Sequence, residues 1–385
     1  FFSSFLMRRA LPILNSKLGQ VFRLAVIPGD GIGKEVIPEA LRVLDVIQEH
    51  TNYSFEYIHL NAGLETFKAT GSALPARTLM GIKNCDAAIF GAVDAFGVEG
   101  YSSPIITLRQ QLELYANVFH CVSAPVAGVM QGIDMLMVRE NTEDVYIMQE
   151  MLEETKSGRV AIAMRRITER ASMRIARFAF SQARVRKKKI TIVHKSNILT
   201  KTDGLFRECC LWVSNEFRDV ECEEQLLDSF VYKVCRDPSH FDVVVTANMY
   251  GWLLANAAAA LVGGVGIVGG VNYNEHFVLA EPIHGTGPHL VGENRANPTA
   301  SIRAVGMLLQ SLVPSGKLTQ CIEDAVYETM KDHYNTMTPD LGGTCTTTEV
   351  TDNIIANLVP HLKARPPDET DQDRQQRGGI VVHMD

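Results

Sequence analysis

Positive charge is in short supply: 37 Lys and Arg stand against 44 Asp and Glu, a formal net charge of −7 in a chain of 385 residues. This disfavours nucleic-acid binding, which relies on phosphate neutralisation, so any anionic small molecule must be met by arginines clustered locally. Paired cysteine motifs are missing too. The eight cysteines (Cys85, Cys121, Cys209, Cys210, Cys222, Cys235, Cys321, Cys345) include no CxxC spacing and no neighbouring histidines in a zinc-like pattern, which points to a reducing compartment. No apolar run reads as a membrane span. The longest, residues 253–271, is mostly Ala and Gly and contains Asn256, as expected of a buried helix followed by a glycine turn. There are no internal repeats.

What remains is an ordinary globular composition, 46% hydrophobic and 21% charged, sufficient for a large core. Residues 1–20 (FFSSFLMRRALPILNSKLGQ) carry Arg, Lys, Ser and Leu but no acid, the composition of a mitochondrial transit peptide; the plain alternative is a flexible tail. The expected location is mitochondrial, on the matrix side. Beyond Leu362, KARPPDETDQDRQQRGG is nearly devoid of apolar residues, so residues 364–385 are expected to form a polar tail that only a partner would order.

In between, strands and helices alternate. An apolar strand at residues 22–27 runs into Pro28-Gly29-Asp30-Gly31-Ile32-Gly33 and then an amphipathic helix to about residue 50. Further strands are expected at 53–60, 86–90, 134–138, 189–193 and 241–246, predicting an α/β protein with a largely parallel sheet. Residues 149–166 read as a polar hairpin around Ser157-Gly158, either an arm for another subunit or a solvated loop. The small, glycine-rich residues 257–270 suit close backbone packing or ligand approach.

Several motifs carry chemistry. The Gly29–Gly33 turn lacks the full GxGxxG spacing and the downstream acid of a Rossmann site. Arg109 in TLRQ, Arg139 in VRENTED and Tyr146 just beyond form a more informative set, because guanidinium groups grip carboxylates and a tyrosine can deliver a proton to an enolate. Lys195 in HKSN stands at a strand end, where a lysine of lowered pKa acts as a base; an exposed lysine is the plain alternative. His284-Gly285-Thr286-Gly287-Pro288, followed by Asn297-Pro298, has the small residues that let backbone N–H groups approach phosphates, or that form an ordinary turn.

In their order and spacing, IPGDGIGKEV, LYANV, VRENTED, VHKSN, DGLF, YG and the HGTGP-to-ANP segment resemble the β-decarboxylating dehydrogenases of isocitrate, homoisocitrate and 3-isopropylmalate. The resemblance runs from about Leu24 to Leu362. EGYSSPIITLR, residues 99–109, is most similar to homoisocitrate dehydrogenase, whereas NVFHC and the ALVGG-to-NY stretch resemble non-catalytic subunits of mitochondrial NAD-dependent isocitrate dehydrogenase.

The resemblance implies a two-lobed α/β fold with a mixed sheet, distinct from the Rossmann fold. A large lobe would combine residues 21–107 and 261–363, and a small dimerising lobe would span 108–260 with a clasp around 149–166. It implies oxidation of a 2-hydroxy acid by NAD(P), then decarboxylation, with Mg2+ or Mn2+ held by carboxylates. Carried over by position, Ser103, Arg109 and Arg139 bind substrate, Tyr146 and Lys195 are catalytic, Asp228 is a metal ligand, and His284, Gly285, Thr286, Gly287 and Asn297 bind coenzyme.

Four departures fall in the same implied site. The YGDILSD of active members is YGWLLAN here, so Trp252 and Asn256 occupy two metal-aspartate positions; Trp252 cannot ligate a hard cation and Asn256 offers only a neutral oxygen. Phe119 replaces an arginine, and His289 replaces the acid for the adenosine ribose. Together they imply lost turnover and weak or absent coenzyme and metal. In the family, the lysine and one aspartate are donated across the subunit interface, and their counterparts Lys195 and Asp228 are retained. The expected role is a regulatory or structural partner of a homologous catalytic subunit. The alternatives are a scaffold subunit of a larger mitochondrial complex, which would explain the terminal segments, and an active NAD-dependent decarboxylase.

Overall fold

A computed structural model describes residues 21–94, 100–313 and 315–364; the leader-like segment, the tail from residue 365 and Glu99 of EGYSSPIITLR lie outside the described residues. The strands are β1 (Val21–Gly29), β2 (Ser54–His59), β3 (Ala87–Ala92), β4 (Ala116–Val122), β5 (Asp134–Glu140), β6 (Glu150–Thr155), β7 (Gly158–Ala163), β8 (Lys189–His194), β9 (Glu221–Leu226), β10 (Val243–Thr246), β11 (Gly269–Tyr273) and β12 (Val278–Pro282). One ten-stranded sheet runs β2-β1-β3-β12-β11-β4-β5-β10-β8-β9, and β6 and β7 pair as a separate hairpin.

The sheet is parallel at both ends, where helices intervene between strands, and antiparallel in the middle. There β12–β11, β11–β4 and β4–β5 pair antiparallel. Strands β4 to β5 and β11 to β12 follow one another with no crossover helix, and a short connection permits only antiparallel pairing. The sheet is thus largely parallel, as the alternation of strands and helices predicts, and mixed overall, as the resemblance implies.

The helix Gly33–Glu49 buries Val36, Ile37, Ala40, Val43, Leu44 and Ile47, the one-sided stripe that its 3.6-residue period dictates. By contrast, every residue of the helix Thr299–Leu312 is buried. It packs so tightly on β11 that a Cβ at Gly269 would lie 2.4 Å from the backbone nitrogen of Ala304, which explains the glycine-rich sequence there. No helix among the described residues is long and apolar enough to cross a membrane.

The glycine turn after β1 is packed against protein. Ile32 N donates to Thr286 O at 2.9 Å, and a Cβ on Gly31 would stand 2.2 Å from that oxygen. Asp30, buried, accepts from the backbone of Leu64, Glu65 and Asp94, fastening the turn to two other segments. Gly31 also has a positive φ of 57°, so Gly31→Ala combines left-handed strain with a backbone overlap and should cost at least about 2 kcal/mol. Gly128→Ala, at φ 85° with open space around it, should cost only the strain; comparison of their thermal unfolding midpoints checks this.

Between β4 and β5, His120 Nε2 meets Asp134 Oδ1 at 2.8 Å, and Arg186 bridges Asp134 and Asp242 at 2.7 and 2.8 Å. Burial alone would raise Asp134, but the hydrogen bonds and charges of His120 and Arg186 outweigh it and hold the carboxyl far below its usual range. A depressed folded-state value stabilises fully above the unfolded value of about 4 and is lost as pH falls below it. Asp134→Asn should lower the unfolding midpoint at neutral pH while leaving a shallower decline between roughly pH 5 and pH 2. An equal loss at every pH would contradict this.

Candidate functional site

Arg139, on β5, is wholly buried at 1% exposure and meets no carboxylate in an ion pair among the described residues. Its Nε donates to Asn248 O and Oδ1 at 2.9 and 3.0 Å, its Nη2 to Asn248 Oδ1 at 2.6 Å, and its Nη1 to Asn117 Oδ1 at 3.1 Å. The guanidinium also lies 5.1 Å from the ring centres of both Tyr146 and Trp252, within cation–π range. Burial, and next the charge of Arg109, lower Arg139 to about 9, which leaves it charged at pH 7.

Arg109 comes from the helix Pro104–Gln111, with Ser103 at that helix's N-terminal boundary. Its Nη2 meets Glu281 Oε1 of β12 at 2.5 Å, and Asn117 Nδ2 donates to the same oxygen at 3.3 Å. Arg109 Nε is buried without a partner. Tyr146 rides on a short turn entered through Asp144, whose φ of 71° is unusual for a non-glycine residue. That strain is held by Arg165 Nε on Asp144 Oδ1 at 2.5 Å and Met249 N on Oδ2 at 3.0 Å.

These elements enclose a cavity of about 210 Å³ lined by Ser103, Arg109, Arg139, Tyr146, Trp252, Glu281, His284 and Gly285, among others. His284 Nδ1 lies 3.0 Å from Gly285 O; a carbonyl only accepts, so Nδ1 carries the proton. Burial lowers the pKa of the ring, and its Nε2, an acceptor in this tautomer, remains buried and unpartnered.

Trp252 and Asn256 both lie on the helix Asn248–Val262. Trp252 is wedged between Arg139 and Phe119, with the Phe119 ring centre 6.0 Å away at 59°. Phe119 in turn lies over Gly270, where a Cβ would come within 2.5 Å of its ring. Asn256 Nδ2 donates to Trp252 O at 2.9 Å, folding the amide back onto its own helix. No three His, Cys, Asp or Glu side chains converge as a metal site among the described residues. The donor set here does not fit Mg2+ or Mn2+, which need several oxygen ligands.

Other residues singled out in the sequence lie apart from this cavity's lining. Lys195 Nζ and Asp228 Oδ1 pair with each other at 2.5 Å, and the hydrogen bond from Lys195 holds the Asp228 carboxyl below its ordinary value. Gly287 and exposed His289 continue the loop beyond His284, whereas the Thr286 carbonyl is engaged by Ile32. Asn297 spends its amide on protein, accepting from Thr299 N and donating to Asp340, both at 3.0 Å. Asn117, Asn248 and Glu281 complete the site but were not picked out from the sequence. The available signal was a polar side chain within an apolar strand or at a helix start, which when buried demands a partner.

Residues 23–354 match the family model described as isocitrate/isopropylmalate dehydrogenase. Homoisocitrate dehydrogenase of Methanocaldococcus jannaschii is 39% identical, over 89% of this chain and 99% of its own length. The 3-isopropylmalate dehydrogenase of Methanothermobacter thermautotrophicus is 38% identical, over 87% and 98%. The crystal structure of isocitrate dehydrogenase from Methylococcus capsulatus superposes with a TM-score of 0.81 at 33% identity, covering 88% of this chain and 99% of that one. Motif order, mixed sheet and paired arginines thus have one origin: the chain belongs to the isocitrate/isopropylmalate dehydrogenase family.

Proposed function

We propose that this chain is a subunit without turnover of its own, a regulatory or structural partner of a homologous catalytic subunit in a mitochondrial oligomer. The observation that carries the reading is Trp252, an indole packed between Arg139 and Phe119 where the family resemblance calls for a metal-binding aspartate. Asn256 is turned away onto its own helix. Metal is therefore weakly held or not held at all, and exposed His289 in place of an acid argues the same for NAD(P).

Two further features support a partner. Lys195 and Asp228 persist as an accessible pair outside the chain's own cavity, where they can serve a neighbour. The β6–β7 hairpin, the expected clasp, exposes Met151, Leu152, Val160 and Ile162, and a lone two-stranded hairpin is marginal in water. Mitochondrial placement rests on the acid-free composition of residues 1–20. A working decarboxylase is the second reading, favoured by the convergence of Ser103, Arg109, Arg139 and Tyr146 on one cavity.

Co-expression with a homologue that carries both metal aspartates separates the two. The pair should co-purify and turn over, while this chain alone should not reduce NAD or NADP with isocitrate or homoisocitrate and Mg2+ or Mn2+. Lys195→Ala in this chain should lower turnover at the sites it serves by about 10²-fold, the scale of a lost general acid–base group. Unchanged activity of that complex, or turnover by the isolated chain, would contradict the proposal.

A further inference from the structure

Lys195 is clamped through its backbone while its head group stays within reach of solvent. It is the first residue beyond β8, where its N–H has left the ladder of the sheet. That N–H donates to Asp203 Oδ2 at 2.6 Å, and the Lys195 carbonyl accepts from Ile198 N and Leu199 N at 3.0 and 2.9 Å. The side chain itself points to Asp228, whose carboxylate is 67% exposed.

Asp203, in the first turn of the helix Thr202–Ser214, is held in turn. Its other oxygen pairs with Nη1 of Arg165, a residue just after β7 at the foot of the hairpin. The same nitrogen donates to Tyr250 Oη at 3.1 Å, and the guanidinium lies 4.7 Å from the centre of that ring. The rest of the fork grips Asp144 through Nε at 2.5 Å and Nη2 at 3.2 Å. Asp144 and Asp203 are both buried. Water would satisfy an N–H at a strand end without such an arrangement, and buried ion pairs return little net stability. What a bidentate arginine does supply is fixed geometry.

We infer that Asp203, locked by Arg165, is a positioning residue for Lys195, fixing the direction from which the amine meets the substrate hydroxyl in the neighbouring subunit's site. The inference rests on the reading that this chain lends Lys195, and deepens it. Through Asp144 the same guanidinium holds the turn that carries Tyr146, so both proton-handling side chains hang from one arginine. A misplacement of about 1 Å in a reacting group can cost up to about 10²-fold in rate.

The test uses the complex with a homologue that carries both metal aspartates. Asp203→Asn turns one carboxylate oxygen into a donor facing a donor, so that one of its two contacts must break. It should lower kcat about tenfold and leave KM for the hydroxy acid within about twofold. Asp242→Asn is the matched control, because Asp242 likewise accepts from an arginine, Arg186 Nε at 2.8 Å, and a backbone amide, Lys187 N at 2.9 Å. It should lower the unfolding midpoint similarly and leave kcat unchanged within about twofold. In a Lys195→Ala background, Asp203→Asn should cause no further loss, since a residue acting through Lys195 has nothing left to position. Arg165→Lys, which keeps the charge but loses the fork, should show the same pattern at about threefold, and decides the matter if the Asp203→Asn complex does not assemble. Equal kcat losses in Asp203→Asn and Asp242→Asn, or a full Asp203→Asn loss in the Lys195→Ala background, would overturn this inference alone. Unchanged turnover in Lys195→Ala would overturn the lending reading and this inference with it.

Discussion

A guanidinium buried without a carboxylate is the constraint around which this site is organised. Taking Arg139 out of water is costly unless every donor is satisfied. The protein meets that demand with two neutral asparagines and two aromatic faces instead of an anion. Asn117 must then sit on β4 and Asn248 at the start of the helix Asn248–Val262, which follows β10. Gly251 must remain a glycine, since a Cβ there would stand 2.5 Å from Arg139 Cγ. The strained Asp144 turn must hold Tyr146 over the charge, with Arg165 holding Asp144.

Two of the four departures from the family pattern, Phe119 and Trp252, form one packed group. Phe119 and Trp252 touch each other, Trp252 touches Arg139, and Gly270 leaves space for the Phe119 ring. An arginine at position 119 would have brought another buried charge next to Arg139, and an aspartate at 252 would have brought a countercharge. Replacing both by aromatics keeps the neighbourhood packed and puts neither charge beside Arg139. These two changes are therefore mutually consistent in packing.

Much of this was legible in the sequence, for definite reasons. Strand β1, its glycine turn and the helix Gly33–Glu49 stand out because their periodicities differ and the turn separates them. Arg109, Arg139, Tyr146 and Trp252 were drawn to one site by the family resemblance, and the structure brings them to one cavity. Strands β4, β11 and β12 were not read as strands: Asn117 and Asn272 interrupt the apolar pattern, and Gly269-Gly270 imitates a loop. Those polar residues are paired across the sheet, as in Asn141 Nδ2 to Asn272 Oδ1 at 2.9 Å, and those glycines admit a helix and a phenyl ring. Glu281 was invisible because its partner, Arg109, lies 172 positions earlier. Such roles depend on contacts distant in sequence, which local pattern does not encode.

The central claim is that Trp252 and Asn256 have removed the cation from this chain's own pocket. Electron paramagnetic resonance of Mn2+ titrated into the purified full-length chain, with isocitrate at saturation, tests it most directly. The account predicts that the free-ion signal rises in proportion to added Mn2+, as it does in buffer with isocitrate alone. Depletion of that signal by one tightly bound ion per chain, abolished by Asn256→Ala, would contradict it.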